Sequence, residues 1–444
     1  MIANHRAAAH LTVAVLLMAL PAGAVRATTR HVPAEYPTIQ GGIDAAAFGD
    51  TVLVAQGTYT EYLSRAVPGY GVLTAMGFLK DGVTVRGEGG STSTILQHGQ
   101  APTLVAVAFI AYALASEQTA IEGFSIVSDR PNRGGIWNLS GRKLLARRCF
   151  FRGLDSAGIN AAYSDGEVSV DCGFEDCSQV GAVGQNEGDC VLTRCTFVRC
   201  SESAVVLGGY RVTDHAEIRD CIFENCSRSG TVGGGGGAIS IGRYAAGAVI
   251  DGCVFTGNVS GANGGAIAIG NSGPAIQISN CLFRDSQSQY FGGSVYLSGA
   301  GAISGNTFFD SAVHDPTEGG GAAVFFSNTY HGEIDNNIIA STHGAAAVAA
   351  LASSITSGCN DFWDNPDGVS YNYTIGATDR IADPMFCDSS TADLRLNAES
   401  PCLPEHSGGC GLIGALGQGC GTVAVEPQSW GRIKAAYRVP QEGE

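Results

Sequence analysis

Apolar and polar positions repeat in one pattern from about residue 121 to residue 362. The segments IEGFSI, LARRCFF, SVDCGF, LTRCTF, IRDCIF, IDGCVF, ISNCLF, ISGNTF, IDNNII and SGCNDF align on Phe124, Cys149, Cys172, Cys195, Cys221, Cys253, Cys281, Asn306, Asn337 and Asn360. Two positions later stand Ile126, Phe151, Phe174, Phe197, Phe223, Phe255, Phe283, Phe308, Ile339 and Phe362. Just before the aligned position come Gly123, Asp171, Asp220, Gly252, Asn280, Gly305 and Asn336, residue types that tolerate positive φ. Each copy therefore reads as strand, one-residue left-handed bend, strand. A third strand follows in GGIWN, AGIN, GAVG, SAVVL, GGAISI, GGAIAI, GGSVYL, GAAVFF and GAAAV, small and β-branched residues in alternation behind a glycine signal.

Three short strands in every 25 or so residues predict an all-β parallel β-solenoid of about 10–12 turns. Propeller blades need a longer period of about 40–45 residues and antiparallel turns. No coil buries its own apolar face, but coils stacked at about 4.8 Å make a continuous core. The column from Ile126 to Phe362 is the predicted spine of that core. Outward positions of the third strand, such as Ser240, Ala268 and Tyr296, predict a flat wall of mostly small residues.

These coils resemble the right-handed parallel β-helix of the pectin-lyase-like superfamily. The pairing of FTGN at Phe255–Asn258 with GGAI at Gly264–Ile267 is similar to the repeats of polymorphic outer-membrane proteins. The opening VPAEYPTIQGGIDAAAFGDTVLVAQGTYTE resembles the first coil of secreted bacterial β-helix proteins. That resemblance implies a short amphipathic helix from Thr38 to Ala47 capping the first coil, with Ile39 and Ile43 one turn apart. It covers residues 31–362 and implies a fold that hosts lyases, hydrolases, epimerases, adhesins and proteins without chemistry.

The ends of the chain differ in texture. Arg6, the apolar run Leu11–Leu20 and Ala22-Gly23-Ala24 predict a signal peptide over residues 1–27. The run is too short to span a bilayer, so the mature chain is expected to be secreted, extracellular or at the cell surface, without a transmembrane segment. The β-helix is assigned to residues 28–362 and a Cys-rich C-terminal cap to 363–421. A tail follows over 422–444, in which Trp430, Ile433 and Tyr437 stand at helical spacing.

Secretion permits disulfides, yet stacked cysteines with parallel Cβ vectors sit wider apart than a bridge requires. Cys149, Cys172, Cys195, Cys221, Cys253 and Cys281, and the second set Cys177, Cys200 and Cys226, are therefore read as buried thiol ladders. Cys387, Cys402, Cys410 and Cys420 lie beyond the repeats, among Pro, Gly and Ser. Two disulfides are expected there, Cys387–Cys402 and Cys410–Cys420, as the means by which a segment with little core gains order.

Composition narrows the chemistry. The chain has 444 residues, 63 Gly, 15% charged residues and a formal charge of −16. With no basic surplus to displace phosphate counterions, a nucleic-acid partner is not expected. Lysine occurs only at Lys80, Lys143 and Lys434, and the chain carries no Asp-Asp pair, no G-H-G and no D-P-H-E. The charge clusters nearest the third strand are Asp129, Arg130 and Arg133; Arg211, Asp214 and His215; and His314, Asp315 and Glu318. They form the candidate binding face. Catalytic residues are not identifiable, no metal or cofactor is expected, and calcium enters only if the protein is a lyase. The favoured reading is a non-catalytic protein that binds extracellular polysaccharide or a cell-envelope component. The alternative is a pectate-lyase-like lyase or a glycoside hydrolase whose carboxylates converge from separate coils.

Overall fold

The computed structural model describes residues 26–421 apart from 162–163, 179–181, 186–187, 209–214, 231–234, 243–246, 271–275, 317–318, 328–330 and 352–353. The proposed signal segment up to residue 25 and the tail 422–444 thus lie outside the described residues. The chain winds into a parallel solenoid whose first sheet has 13 strands, second sheet 12 and third sheet 13. This is slightly longer than the expected 10–12 turns, because coils before Phe124 stack in register without carrying the repeat's marker residues. Thr51–Val54, for example, pairs with Thr84–Gly87. The third sheet opens with an antiparallel hairpin, Leu63–Val67 against Gly71–Phe78. Among the described residues, no helix is long and apolar enough to cross a membrane.

The register follows the sequence pattern. Phe151, Phe174, Phe197, Phe223, Phe255, Phe283 and Phe308 are partners rung by rung. Their rings stack at centroid distances of 4.6 to 4.9 Å and within 1 to 7° of parallel. The bend residue is left-handed at all the predicted positions, from Asp220 at φ 54° to Gly123 at φ 71°. Arg148, Arg194 and Cys359 adopt the same conformation at φ 49, 52 and 58°. For a non-glycine residue this is strained, and stacking offsets the strain: Arg148 N–H donates to Val170 O and Arg194 N–H to Arg219 O, both at 3.0 Å. A second left-handed column lies five residues on, at Gly153, Asp176, Arg199, Asn225, Gly257, Asp285, Asp310, Ser341 and Asp364. It turns the chain out of the second sheet.

Inside, the thiol ladder passes into an amide ladder. Cys195 N–H donates to Cys221 Sγ and Cys253 N–H to Cys281 Sγ, each at 3.4 Å. From there Cys281 N–H donates to Asn306 Oδ1 (2.8 Å), Asn306 N–H to Asn337 Oδ1 (2.9 Å) and Asn337 N–H to Asn360 Oδ1 (3.0 Å). Asp379 closes the series by accepting from Asn360 N–H at 2.8 Å. Both cysteine columns are free, buried thiols. At the N-terminal mouth, the helix Ile39–Ala45, N-capped by Thr38, buries Ile39 and Ile43.

The cap corrects the expected disulfides. Cys359 bonds Cys410 and Cys387 bonds Cys420, with Cα–Cα distances of 5.6 and 5.8 Å. Cys402 is a buried free thiol whose Sγ–H donates to Asp361 Oδ2 at 2.9 Å. Pairing neighbours in sequence fails because the segment folds back over the outside of the second sheet. There Leu396, Cys402, Leu403 and Ile413 form a small core with Ile338 and Ala340. Cys359, the bend residue just after the last strand of the first sheet, thereby comes within reach of Cys410. Cys387 and Cys420 sit on the outer strands of the cap sheet, Phe386–Asp388 and Gln418–Cys420, which flank Asp393–Asn397. Peptide mapping without reduction is expected to yield Cys359–Cys410 and Cys387–Cys420, with Cys402 alkylated only after unfolding. A Cys387–Cys402 peptide would overturn this pairing.

Candidate functional site

A solenoid displays its outward residues as columns, so a site is read by register. On the third sheet one outward column runs Ser240, Ala268, Tyr296, Phe325, Ala349, Tyr371. Ser240, Ala268 and Ala349 are small, as the sequence leads one to expect, and aromatic side chains enter the column at Tyr296, Phe325 and Tyr371. Tyr296 stacks on Phe325 (5.9 Å, 7°), and Phe291 packs 4.5 Å from Phe325. Ala268, although in this outward register, is buried. Phe325 is buried, and Tyr371 is 46% exposed. Gly319, at φ 93°, leaves no room for a side chain against the Tyr371 ring. Tyr296 and Tyr371 lie three rungs, or about 14 Å, apart, with buried Phe325 and Ala349 between them.

The charge clusters singled out from the sequence do not converge. Asp129 and Arg130 are exposed at the edge leading into the third sheet. Arg133 is buried, its backbone N–H held by Asp155 Oδ1 (2.8 Å) and its Nη1 donating to Leu104 O (2.8 Å), so its guanidinium ties loops together. Next to it His98 is buried between the Tyr62 hydroxyl (2.7 Å) and Gly134 O (2.9 Å), and desolvation pushes its pKa down to about 4. His314 and Asp315 lie on the same edge as Asp129, seven rungs and about 34 Å along the rod. His314 Nε2 contacts Gln287 Oε1 at 3.0 Å, and Asp315 N–H donates to Gln289 O at 2.8 Å. His215 stands at the opposite edge, 3.8 Å from Glu217. Arg211, Asp214 and Glu318 lie outside the described residues.

Two features were missed in the sequence. The first is a carboxylate pair on the second bend column: Asp285 and Asp310 occupy consecutive rungs and hydrogen-bond to each other. Burial first, then Asp310, push the Asp285 carboxyl above its ordinary range. His343 Nε2 is 3.7 Å from Asp310 Oδ1, and Arg284 Nε is 3.1 Å from Asp285 Oδ2. Such a pair can share a proton, but hydrogen-bonded carboxylates are closer than the roughly 5 to 9.5 Å between those that cleave glycosidic bonds. Its signal in the sequence was the aspartate that recurs in FRDS and FFDS. The second is a shallow groove of about 390 Å³ on the first sheet, lined by Leu53, Arg86, Glu88, Glu122, Gly123 and Arg148. Glu122 is already paired with Arg147 (3.7 Å) and Arg148 (3.4 Å).

Among the described residues, no three His, Cys, Asp or Glu side chains are grouped to hold a metal ion.

A family model described as the right handed beta helix region matches residues 110–243 and 211–378. Among curated proteins, none matches. Among solved structures, the A-module of Azotobacter vinelandii mannuronan C-5 epimerase AlgE6 is similar at 14% identity and TM-score 0.42, over 78% of this chain and 93% of that one. The AlgE4 A-module of the same organism is similar at 16% identity and TM-score 0.30, over 78% and 92%. Pectate lyase Pel9A is similar at 10% identity and TM-score 0.35, over 88% and 96%.

Proposed function

The chain belongs to the right-handed β-helix family, and from that premise we propose that it is an extracellular or cell-surface protein that binds polysaccharide on the outer face of its third sheet without transforming it. The observation that carries this reading is the aromatic column from Tyr296 to Tyr371, flanked by Phe291 and edged by His314. The rings of Tyr296 and Tyr371, three rungs apart, offer stacking surfaces to separate units of one sugar chain, each contact adding on the order of 1 kcal/mol. A chain several sugars long sums such contacts. The first-sheet groove supports binding less, because its carboxylate and guanidinium groups neutralise one another and exposed pairs contribute little.

Screening soluble acidic and neutral polysaccharides by affinity electrophoresis is expected to identify a retarding polymer. The double variant Tyr296→Ala, Tyr371→Ala is expected to weaken that retardation at least tenfold, with its melting midpoint close to that of the wild type. Unchanged retardation in the variant would refute this site. Accumulation of unsaturated or reducing ends, lost in Asp310→Asn, would favour a lyase or hydrolase centred on the Asp285–Asp310 pair and His343.

A further inference from the structure

The cap covers the outer face of the second sheet only over its last rungs. The outward column next to the buried phenylalanines passes from Phe150 through Ile222, Val254 and Leu282 to Thr307 and Ile338. Thr307 and Ile338 are buried under the cap: Ala415 N–H donates to Thr307 Oγ1 at 3.0 Å, and Ile338 joins the cap's core. Phe150, Ile222, Val254 and Leu282 present similar apolar chemistry and stay partly exposed. Their face is flat, because the Phe rings behind it stack within 1 to 7° of parallel. Charges flank this face and change sign from rung to rung. Arg148, Asp171, Arg194 and Asp220 follow one another, exposed, at the first bend, and Asp176 is followed by Arg199 at the second. Within the chain, Arg194 Nε reaches Asp171 at 2.7 Å and Arg199 Nε reaches Asp176 at 2.8 Å. Arg152 and Glu224 stand at the last position of their strands, three rungs apart. Among the described residues, Arg152, Asp220 and Glu224 have no ion-pair partner.

We propose that two copies of the chain pair through this face, antiparallel, about a two-fold axis between the Asp171 and Arg194 rungs. Rotation about an axis parallel to the strands reverses the order of the rungs and sets each bend column against itself. Arg148 then meets Asp220 of the second copy, Asp171 meets Arg194, and Asp176 meets Arg199. The unpaired Arg152 and Glu224 meet each other twice, once from each copy, and Phe150 lies over Ile222. The parallel alternative, about an axis along the rod, sets Asp171 against Asp176 and Arg194 against Arg199. Like charges then face each other, which opposes association. The eight rungs from Thr94–Gln97 to Leu282–Arg284, the last before the cap, are centred on the same antiparallel axis. They span about 34 Å, and the backbone steps from one bend to the next add about 16 Å of width. Two such faces bury about 1,100 Å² together, which reaches the size of weak but specific interfaces. The outer face of the third sheet takes no part in this contact.

Sedimentation equilibrium on the chain from residue 28 to 444, between about 0.5 and 100 μM, tests this over the micromolar range such an area supports. The wild type is expected to dimerise. Arg152→Glu alone and Glu224→Arg alone each set like charges against each other at both contacts, and each is expected to weaken dimerisation at least tenfold. Mixed in equal amounts, the two variants present opposite charges at both contacts, and a heterodimer of wild-type affinity is expected. Recovery on mixing also shows that each variant is folded, since a misfolded chain offers no face to its partner. A wild type that stays monomeric throughout this range would overturn the proposal. So would single variants that dimerise as the wild type does, or a mixture that remains monomeric.

Discussion

Replacing Phe255 with alanine is expected to destabilise the protein by about 3–5 kcal/mol, the cost of truncating a buried aromatic ring that cannot be refilled. Phe255 is fully buried and sandwiched between Phe223 at 4.9 Å and Phe283 at 4.7 Å. The rung spacing is set by backbone hydrogen bonds, so the neighbouring rings cannot close the gap, and the loss falls near the upper end of the range. In a solenoid each coil contacts only its neighbours, so the defect should be local as well as large. Denaturant titration is expected to show a lower midpoint, with hydrogen exchange speeding up most in the strands Ile222–Glu224 and Leu282–Arg284. An unchanged midpoint would mean that the ring column does not carry the core.

The second large effect concerns a charge inside the rod. Glu167 pairs in register with Leu144 below and Cys190 above, both buried, so its side chain stands among core residues. Ser169 Oγ–H reaches its Oε1 at a long 3.4 Å, and its Oε2 has no partner. Desolvation raises its pKa from 4.5 to about 8. In the folded chain it therefore holds a proton that the unfolded chain releases above pH 4.5, and stability falls as pH rises towards 8. At pH 7 the cost is roughly 3 kcal/mol, taking about 1.4 kcal/mol per pH unit. His98 works in the opposite direction: its folded pKa of about 4 against 6.5 unfolded makes stability fall as pH drops below 6.5. Between pH 4.5 and 6.5 the two slopes oppose each other, and from 6.5 to 8 only that of Glu167 remains. Wild-type melting midpoints are expected to decline over that upper window. Glu167→Gln, similar in shape and uncharged, is expected to remove the decline and to melt higher at pH 8. Parallel curves for the two proteins would show that Glu167 is ionised in the folded state.

The long repeat was legible because it is local physics written many times. Inward Phe every 23 to 32 residues, with Gly, Asn or Asp at the bend before it, specifies strand, turn and face without reference to distant residues. The thiol ladders were legible for the same reason, since their geometry follows from the rung spacing alone. The second bend column was not, because Arg199 and Ser341 take the left-handed conformation only where the stack holds them there. Glu167 also went unremarked, since the period shows which face a position occupies but not that a polar residue will be enclosed there.

Everything that depends on contacts across the period needed the folded chain. Cys359 and Cys410 are 51 residues apart in sequence, and only the return of the cap over the second sheet brings them together. Asp129 and His314 share an edge but not a site, because rise along the rod converts sequence distance into about 34 Å. Tyr296, Phe325 and Tyr371 belong to different coils whose loop lengths differ, so their place in one column is invisible in any single repeat. The sequence by itself thus determined the repeating unit, its inward face and its stacking. The tertiary structure alone decided which outward side chains meet, because stacking register and cap packing are interactions between coils rather than within one.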